Sequence, residues 1–502
     1  MSDQQSFSSW GWDIDAFDRL QTQLVLQYET AFPNPMAPKT VVVVPSMTLD
    51  VDILAKIKGH IHYEERMLCV LMLLRMPRTR VVFVSSMPID EVIIDYYLHL
   101  LPGVTGMHAR KRLVLLSCYD ASNRPLTHKI LEKPRLLEQI RQAIPPGDAA
   151  HLMGFNITEW EEILALRLGI PLYGCPSRHN YWGSKSGSRE LFREAGLRIP
   201  PGFEHLGSMA DVAAALQELR LQLPDARKAV VKLNDGFSGD GNAIFPLEKI
   251  SGKIDEDQLR QHLRIVAADL NYEQFAEKMT LMGGITEAFI DGAAKTSPSV
   301  QCRITPKREL DIISTHDQVL GGESGQVYIG ATFPALPEYA AEIGALGKKL
   351  CDSMCPRGIL GRFGVDFVSV KEADQWTHYA IEINLRKGGT THPYLMLQFL
   401  TDGRYDHKKG VFYIPSGQQR CYFTTDGLQS DNYRQLTPGD LIDIAICHDI
   451  HFDPTIQEGV TFHLLGAMSE HGKLGMLCVG DTPEKARAYY QKTVAVLDAE
   501  TR

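Results

Sequence analysis

The stretch GVDFVSVKEADQWTHYAIEINLRKGGTT, residues 364–391, decides how the chain is read. From Tyr379 to Arg386 it alternates: Ile381, Ile383 and Leu385 are apolar, and Glu382, Asn384 and Arg386 fall between them. At the strand period of two, a carboxylate, an amide and a guanidinium share one face and three core residues the other. Val365 and Phe367 bracket Asp366 in the same way, and the polar run 371–375 reads as the turn between two strands. A hairpin folded about Asp374 sets Asp366 opposite Glu382, because both lie equally far from the tip. Three hard oxygen donors then converge, a set that suits Mg2+ carrying the phosphates of a nucleotide. Arg386 stands next along the polar face, where anionic charge collects. Any one of these residues also fits an ordinary half-buried hairpin with a wet polar face; Glu-x-Asn-x-Arg facing a lone Asp fits it poorly. Gly388-Gly389 and Thr390-Thr391-His392-Pro393 read as a loop opening a helix over 393–400, whose N-terminus is a second anion site.

At 502 residues the chain is too long for one core and should form about three domains. A net charge of -9 and a pI near 6.0 leave no basic balance for a nucleic-acid backbone. The nine cysteines are an odd number without paired CxxC spacing, so reduced thiols in a cytoplasmic protein are expected rather than a structural zinc site. The first residues, MSDQQSFSSWGWDID, lack the basic and apolar regions of a secretory signal, and no apolar run approaches bilayer length, so no membrane partner is expected.

Residues 14–32 form an amphipathic pattern. Apolar runs at 40–44, 80–85, 113–117, 151–155 and 170–174 then alternate with helical patterns at 55–76, 134–143 and 158–169, the last opened by the capping box Thr158-Glu-Trp-Glu161. Continuous apolar strands alternating with helices predict a parallel sheet covered on both faces, a doubly wound domain over 1–183. No G-x-G-x-x-G follows its first strand, so a dinucleotide site there is unsupported. Lys185 then precedes a helix over 189–195. The strand 228–233 carries Lys232 into NDGFSGDG, where Gly236, Gly239 and Gly241 leave backbone N–H groups free to close over phosphate, or simply make a glycine-bearing turn. Strands follow at 284–291, 299–305 and 309–314, with Gly321-Gly-Glu-Ser-Gly325 as a lid and a helix over 338–354. Beyond about 410 the chain forms a smaller unit, in which His448, His451, His463 and His471 fit no familiar metal spacing and read as structural.

The ordered set of Lys185 ahead of AGLRIPP, Lys232 before a glycine loop, Glu287-Ala-Phe-Ile290, Asp366 in GVDF and Glu382-x-Asn384-x-Arg386 resembles the ATP-grasp carboxylate-amine ligases. Over nearly the whole chain, GSKSGSRELFREAG, VVKLNDGFSGDGNAIF, AIEINLRKGGTTHPY and FHLLGAMSEHGKLGMLCVGDTPEKA resemble pheganomycin-type peptide ligases. The resemblance implies an α/β and α+β multidomain chain: a pre-ATP-grasp domain (1–183), an ATP-grasp small lobe (184–280), a central lobe (281–410) and a C-terminal α+β domain (411–502). It implies that ATP lies between the lobes, with Lys185 and Lys232 on its phosphates. The loop from Gly236 through Ser238 and Gly239 to Gly241 would cover them, and Glu287, Phe289 and Ile290 would hold adenine. Asp366, Glu382 and Asn384 would hold two Mg2+, and Arg386 would stabilise the transferred phosphoryl group. Many relatives carry a ribose-binding carboxylate seven residues after the hinge glutamate, where this chain has Ala294. Arg303, Gly389, Thr390, Thr391 and His392 are the candidates for gripping a substrate carboxylate.

The activity so implied joins amino acids or peptides by an amide bond through an acyl phosphate, in natural product biosynthesis. A phosphotransferase or a nucleotide-binding regulatory protein with little turnover is the alternative. A homo-oligomer is compatible with the sequence, which does not say which carboxylate and amine are joined.

Overall fold

The computed structural model describes residues 7, 9–49, 51–236, 241–250, 252–267, 269–321 and 327–502. Ser238 and Gly239 of the glycine loop, and 322–325 of the expected lid, lie outside the described residues. The first sheet has four parallel strands, in the order Leu113–Ser117, Thr79–Ser85, Lys39–Val44, Ala149–Gly154. Alternate residues of its central strands serve two cores. Val41, Val43, Val81 and Phe83 face one, and Val42, Val44, Val82 and Val84 the other. A β-branched run buried on both faces is what a doubly wound sheet requires, and the expected architecture is present.

Two local readings differ. The run 170–174 makes only a single bridge, Leu172 to Leu152; Pro171 beside it has no N–H to extend a ladder. The helix expected over 55–76 is split into Val51–Lys56 and a 3-10 stretch, His60–Arg75. Between them Gly59 turns at φ 72°, and a Cβ there would stand 2.8 Å from His471 Cδ2. The capping box at Thr158 forms as expected, with Gly169 closing the helix Glu159–Leu168. Its Glu161 does more than cap: it is fully buried and accepts hydrogen bonds from the hydroxyls of Thr48, Thr127 and Thr158 and from the Thr158 N–H.

The second sheet is antiparallel and five-stranded, in the order Gly202–Leu206, Gly284–Ala288, Ala229–Leu233, Asn242–Phe245, Arg264–Ile265. Helices Met209–Gln222, Glu256–His262 and Tyr272–Met282 cover one face through Val231 and Leu233, which leaves Val230 and Lys232 on the other. The third sheet has nine strands and carries the opening hairpin. Helix Ala340–Met354 packs on it so closely that a Cβ on Gly347 would stand 2.8 Å from Val300.

The expected boundary near 410 does not interrupt this third sheet. Strand Val327–Phe333 pairs with Cys421–Gln429, which pairs with Lys473–Gly480 and through it with Gly459–His463. Helices Pro438–Cys447 and Pro483–Glu500 complete the C-terminal part. Its Phe462 and Met476, together with Leu397, share one hydrophobic core with Val41, Val43 and Phe83 of the first sheet. Replacement of Glu161 by Ala strands three hydroxyls and an N–H in the first domain and is expected to cost roughly 2–4 kcal/mol in urea unfolding.

Candidate active site

Strands Gly361–Glu372 and Gln375–Asn384 form the hairpin around a two-residue tip whose Ala373 adopts φ 52°. Glu372 faces Gln375 and Phe367 faces Ala380; continued evenly, Asp366 would face Ile381. The register instead shifts between Asp366 and Phe367, so Asp366 faces Glu382. The expected pair is present, and a β-bulge rather than a tip at Asp374 produces it. The bulge has a second effect, since two residues now oppose one. Ala380, Ile383 and Leu385 go to the core, while Ile381, expected there, lines the cleft beside Glu382.

The cleft has a volume of about 1310 Å3, beyond the roughly 300–1,000 Å3 of a single small-ligand pocket. Asp366, Glu382, Asn384 and Arg386 line it together. Asn384 Nδ2 donates to Asp366 Oδ2 at 3.0 Å and Gln318 Nε2 to Asp366 Oδ1 at 2.7 Å. Lys185 Nζ reaches Glu382 Oε2 at 2.6 Å. Burial and the neighbouring Glu382 push the Asp366 carboxyl up to about 7, against Lys185, Arg386 and Asn384. Burial also works against the Glu382 carboxylate, but Lys185, with Arg386 and Lys232, holds it below the usual range. Asp366 therefore holds a proton more readily than Glu382 does. The donor set is all oxygen: two carboxylates and the amide oxygen of Asn384, whose nitrogen is engaged by Asp366. Those residues fit Mg2+.

Lys185 arrives on the first turn of helix Lys185–Glu194, which starts four residues earlier than expected because Ser184 caps it through the Gly187 N–H. Asn234 joins this helix to the glycine loop. Its Oδ1 accepts from Ser186 N at 2.9 Å and Ser186 Oγ at 2.8 Å, its carbonyl accepts from Lys185 N at 3.1 Å, and its Nδ2 donates to Met282 O at 2.9 Å. Gly236 and Gly241, both lining the cleft, approach so that a Cβ on Gly236 would stand 3.4 Å from the Gly241 backbone.

Lys232 and Glu287 lie diagonally on neighbouring strands and pair at 2.5 Å. Arg189, 2% exposed, binds the other Glu287 oxygen at 3.0 Å. Phe289 and Ile290 line the cleft under Lys295, whose Nζ donates to Ile290 O at 2.8 Å and stands 4.3 Å from the Phe289 ring. Lys295 neighbours Ala294, the position without a carboxylate, which is exposed.

The substrate candidates divide. Gly389 and Thr390 line the cleft, Gly389 so close to Tyr328 that a Cβ would stand 3.2 Å from its ring. Helix Thr391–Thr401 begins two residues early, with Thr391 Oγ1 accepting from Gly388 N. His392 turns away to His463, their Nε2 atoms 3.0 Å apart. Arg303 is not among the lining residues: Asp311 holds it at 2.5 Å, between Tyr173 and Arg362. The far wall, absent from the sequence reading, brings Tyr63, Arg66 and Phe155 of the first domain to Asp426, Lys473 and Arg487. Lys473 donates to Tyr63 OH at 2.7 Å and Arg487 stands 5.5 Å from the Phe423 ring; among the described residues neither pairs with a carboxylate.

A family model described as IQCH-like, ATP-grasp matches residues 176–263 and 246–408, and one described as the PGM1 C-terminal domain matches 440–493. The L-propargylglycine--L-glutamate ligase of Streptantibioticus cattleyicolor is 30% identical over 442 residues, 86% of this chain and 89% of that protein. IQ motif-containing protein H of Danio rerio is 21% identical over 518 residues; 92% of the chain is covered, and it spans about half (49%) of that relative. Among solved structures, the biotin carboxylase domain of the Hydrogenobacter thermophilus 2-oxoglutarate carboxylase superposes with a TM-score of 0.55 at 12% identity, covering 91% of this chain and 89% of that one. An N5-carboxyaminoimidazole ribonucleotide synthetase bound to ADP superposes at 0.52 and 12% identity, covering 93% and 99%.

The fold shared with these structures and the family model over 176–408 define an ATP-grasp protein. The chain belongs to the pheganomycin-type peptide ligases of that superfamily, enzymes that form carbon–nitrogen bonds with ATP.

Asp366 is raised from 3.8 to about 7, so ionising it opposes folding as pH rises through that window, and the full penalty is present above it. Asp366→Asn is therefore expected to raise the Tm of nucleotide-free, metal-free protein at pH 8 by roughly 2–5 °C, with the rise shrinking as pH falls through that window toward 3.8.

Proposed function

We propose that the enzyme joins the carboxylate of one amino acid or peptide to the amine of a second amino acid through an acyl phosphate. The convergence of Asp366, Glu382 and Asn384 with Lys185 in one cleft carries this reading. A free carboxylate is a poor acyl donor because amine attack would have to expel oxide. In the first step a carboxylate oxygen attacks the γ-phosphorus and the bond to the β-phosphate oxygen breaks, releasing ADP. In the second the amine nitrogen attacks the acyl carbon, phosphate leaves, and the nitrogen loses a proton.

Lys185 and Lys232 hold the phosphate chain beside Gly236 and Gly241, and Glu287, Phe289 and Ile290 receive adenine. Arg386 faces the charge that builds as two anions meet. Two Mg2+, held by Asp366, Glu382 and Asn384, supply further neutralisation of the phosphate oxygens when bound. The Gly389–Thr390 turn closes the cleft near the acyl carbon and helps to keep water from the intermediate.

Lys473 and Arg487 of the far wall, which pair with no carboxylate among the described residues, suit an amine substrate that carries its own carboxylates, as the glutamate named for the Streptantibioticus relative does. Assembly of short peptides from free amino acids places the enzyme in biosynthesis of small peptide products. Its nine free cysteines support a cytoplasmic location.

With ATP, Mg2+, a carboxylate substrate and hydroxylamine, the protein is expected to form ADP and a hydroxamate. A stable phosphorylated compound without hydroxamate would mark a phosphotransferase instead. Asp366→Ala and Glu382→Ala should each lower ADP formation by about 10^3 or more while circular dichroism stays unchanged; undiminished turnover would remove both residues from the site. Arg487→Ala should raise KM for an acidic amine substrate roughly tenfold with little change in kcat, the pattern of lost uniform binding.

A further inference from the structure

One cluster of titratable side chains has no part in the ligation described above. His392 lies on helix Thr391–Thr401, His463 ends strand Gly459–His463 and Asp426 belongs to strand Cys421–Gln429. The Nε2 atoms of the two histidines are 3.0 Å apart, and Asp426 Oδ1 stands 2.6 Å from His463 Nε2 and 3.5 Å from His392 Nε2. The two imidazoles are 6% and 5% exposed and the carboxylate 13%.

Hydrogen bonding alone serves this triangle badly. If both Nε2 atoms carry protons, two hydrogens oppose each other across the 3.0 Å gap. With a proton only on His463, that hydrogen must choose between the carboxylate and the facing imidazole. A dication near the centre accepts a lone pair from all three. At metal–ligand distances of about 2.0–2.1 Å, tetrahedral donors stand about 3.3 Å apart, inside the observed range of 2.6 to 3.5 Å.

The surroundings fit as well. Asp426 Oδ2 accepts from Arg66 Nη1 at 3.1 Å, which fixes the carboxylate and leaves Oδ1 free to point at the two nitrogens. His463 lies across Gly475 of the neighbouring strand, where a Cβ would stand 2.2 Å from Nε2, so that only glycine admits the ring. Asp426 and Gly427 line the cleft, which gives an ion a route in. Two imidazoles and one carboxylate select a borderline ion, whereas the oxygen-only set at Asp366 selects a hard one.

We propose that His392, His463 and Asp426 form a binding site for one transition-metal dication of the Zn2+ class. The site is separate from the Mg2+ positions, and it ties the helix after the catalytic hairpin to the C-terminal strands. It does not depend on which substrates are joined.

The test uses the full chain, stripped with a chelator, incubated with Zn2+ or Co2+ in the absence of ATP and Mg2+, and desalted. Elemental analysis is expected to give one equivalent of Zn2+ per chain, and Co2+ the visible absorption of four-coordinate cobalt. Zn2+ should raise the Tm of the stripped protein. His463→Gln and Asp426→Asn should each lose the metal and the shift. His471→Gln, at the more open His62–Glu470–His471 group, should keep both. No retained metal in the wild type would overturn the proposal, as would retention in both His463→Gln and Asp426→Asn, or loss in His471→Gln alone. Should those two variants fail to fold, X-ray absorption of the zinc-loaded wild type decides: two imidazoles and a carboxylate support the site, and any other ligand set overturns it.

Discussion

Two half-buried carboxylates set side by side are the condition around which this enzyme is arranged. Asp366 and Glu382 face each other across a hairpin, and neither burial nor their mutual repulsion favours both being charged. Lys185 answers Glu382 from a helix whose Leu191 and Phe192 share one core with Phe363, Val365 and Ile383 of the same hairpin. An ion or substrate entering the cleft meets carboxylates and cations side by side. On the small lobe the charges are already matched: Glu287 takes Lys232 on one oxygen and Arg189 on the other. Lys185 and Arg386 stand beside Asp366 and Glu382, so charges of both signs meet on the large sheet as they do on the small one.

Precise placement of Lys185 depends on neutral groups. Asn234 uses its side-chain oxygen, side-chain nitrogen and backbone to bind the start of the Lys185 helix to the strand that leads into the glycine loop. Gln318 does a similar service for Asp366 from the adjacent part of the large sheet. Both residues act through others; neither carries charge, and each orients a group that does.

How much of this was legible follows from range along the chain. The hairpin was, because alternation and turn residues are local, and the doubly wound sheet was, because Val41–Val44-type runs buried on both faces look alike everywhere. The bulge that turns Ile381 to the cleft had no local mark. The helix at Lys185 was read short because Ser184-Lys-Ser-Gly-Ser offers weak helix formers, although Ser184 was a capping signal. Asn234, Gln318, Arg189 and Lys295 are ordinary residues whose partners lie tens of positions away. Arg303 shows the converse: a cation on a strand near the site was a reasonable candidate, and its cross-strand neighbour Asp311 occupies it. The far wall needs three segments widely separated in sequence, and His392 gave no hint of His463 by spacing.

The core shared by Val41, Val43 and Phe83 with Leu397, Phe462 and Met476 has a consequence for the order of events at the ribosome. The first sheet is synthesised early, yet part of the cover for one of its faces is among the last segments translated. At 5–20 residues per second that face waits on the order of tens of seconds for its partner. Residues 54–101 cover much of that face early, and the remainder stays open until the far end is made, so folding of the first domain is sensitive to loss of the strands at 459–480.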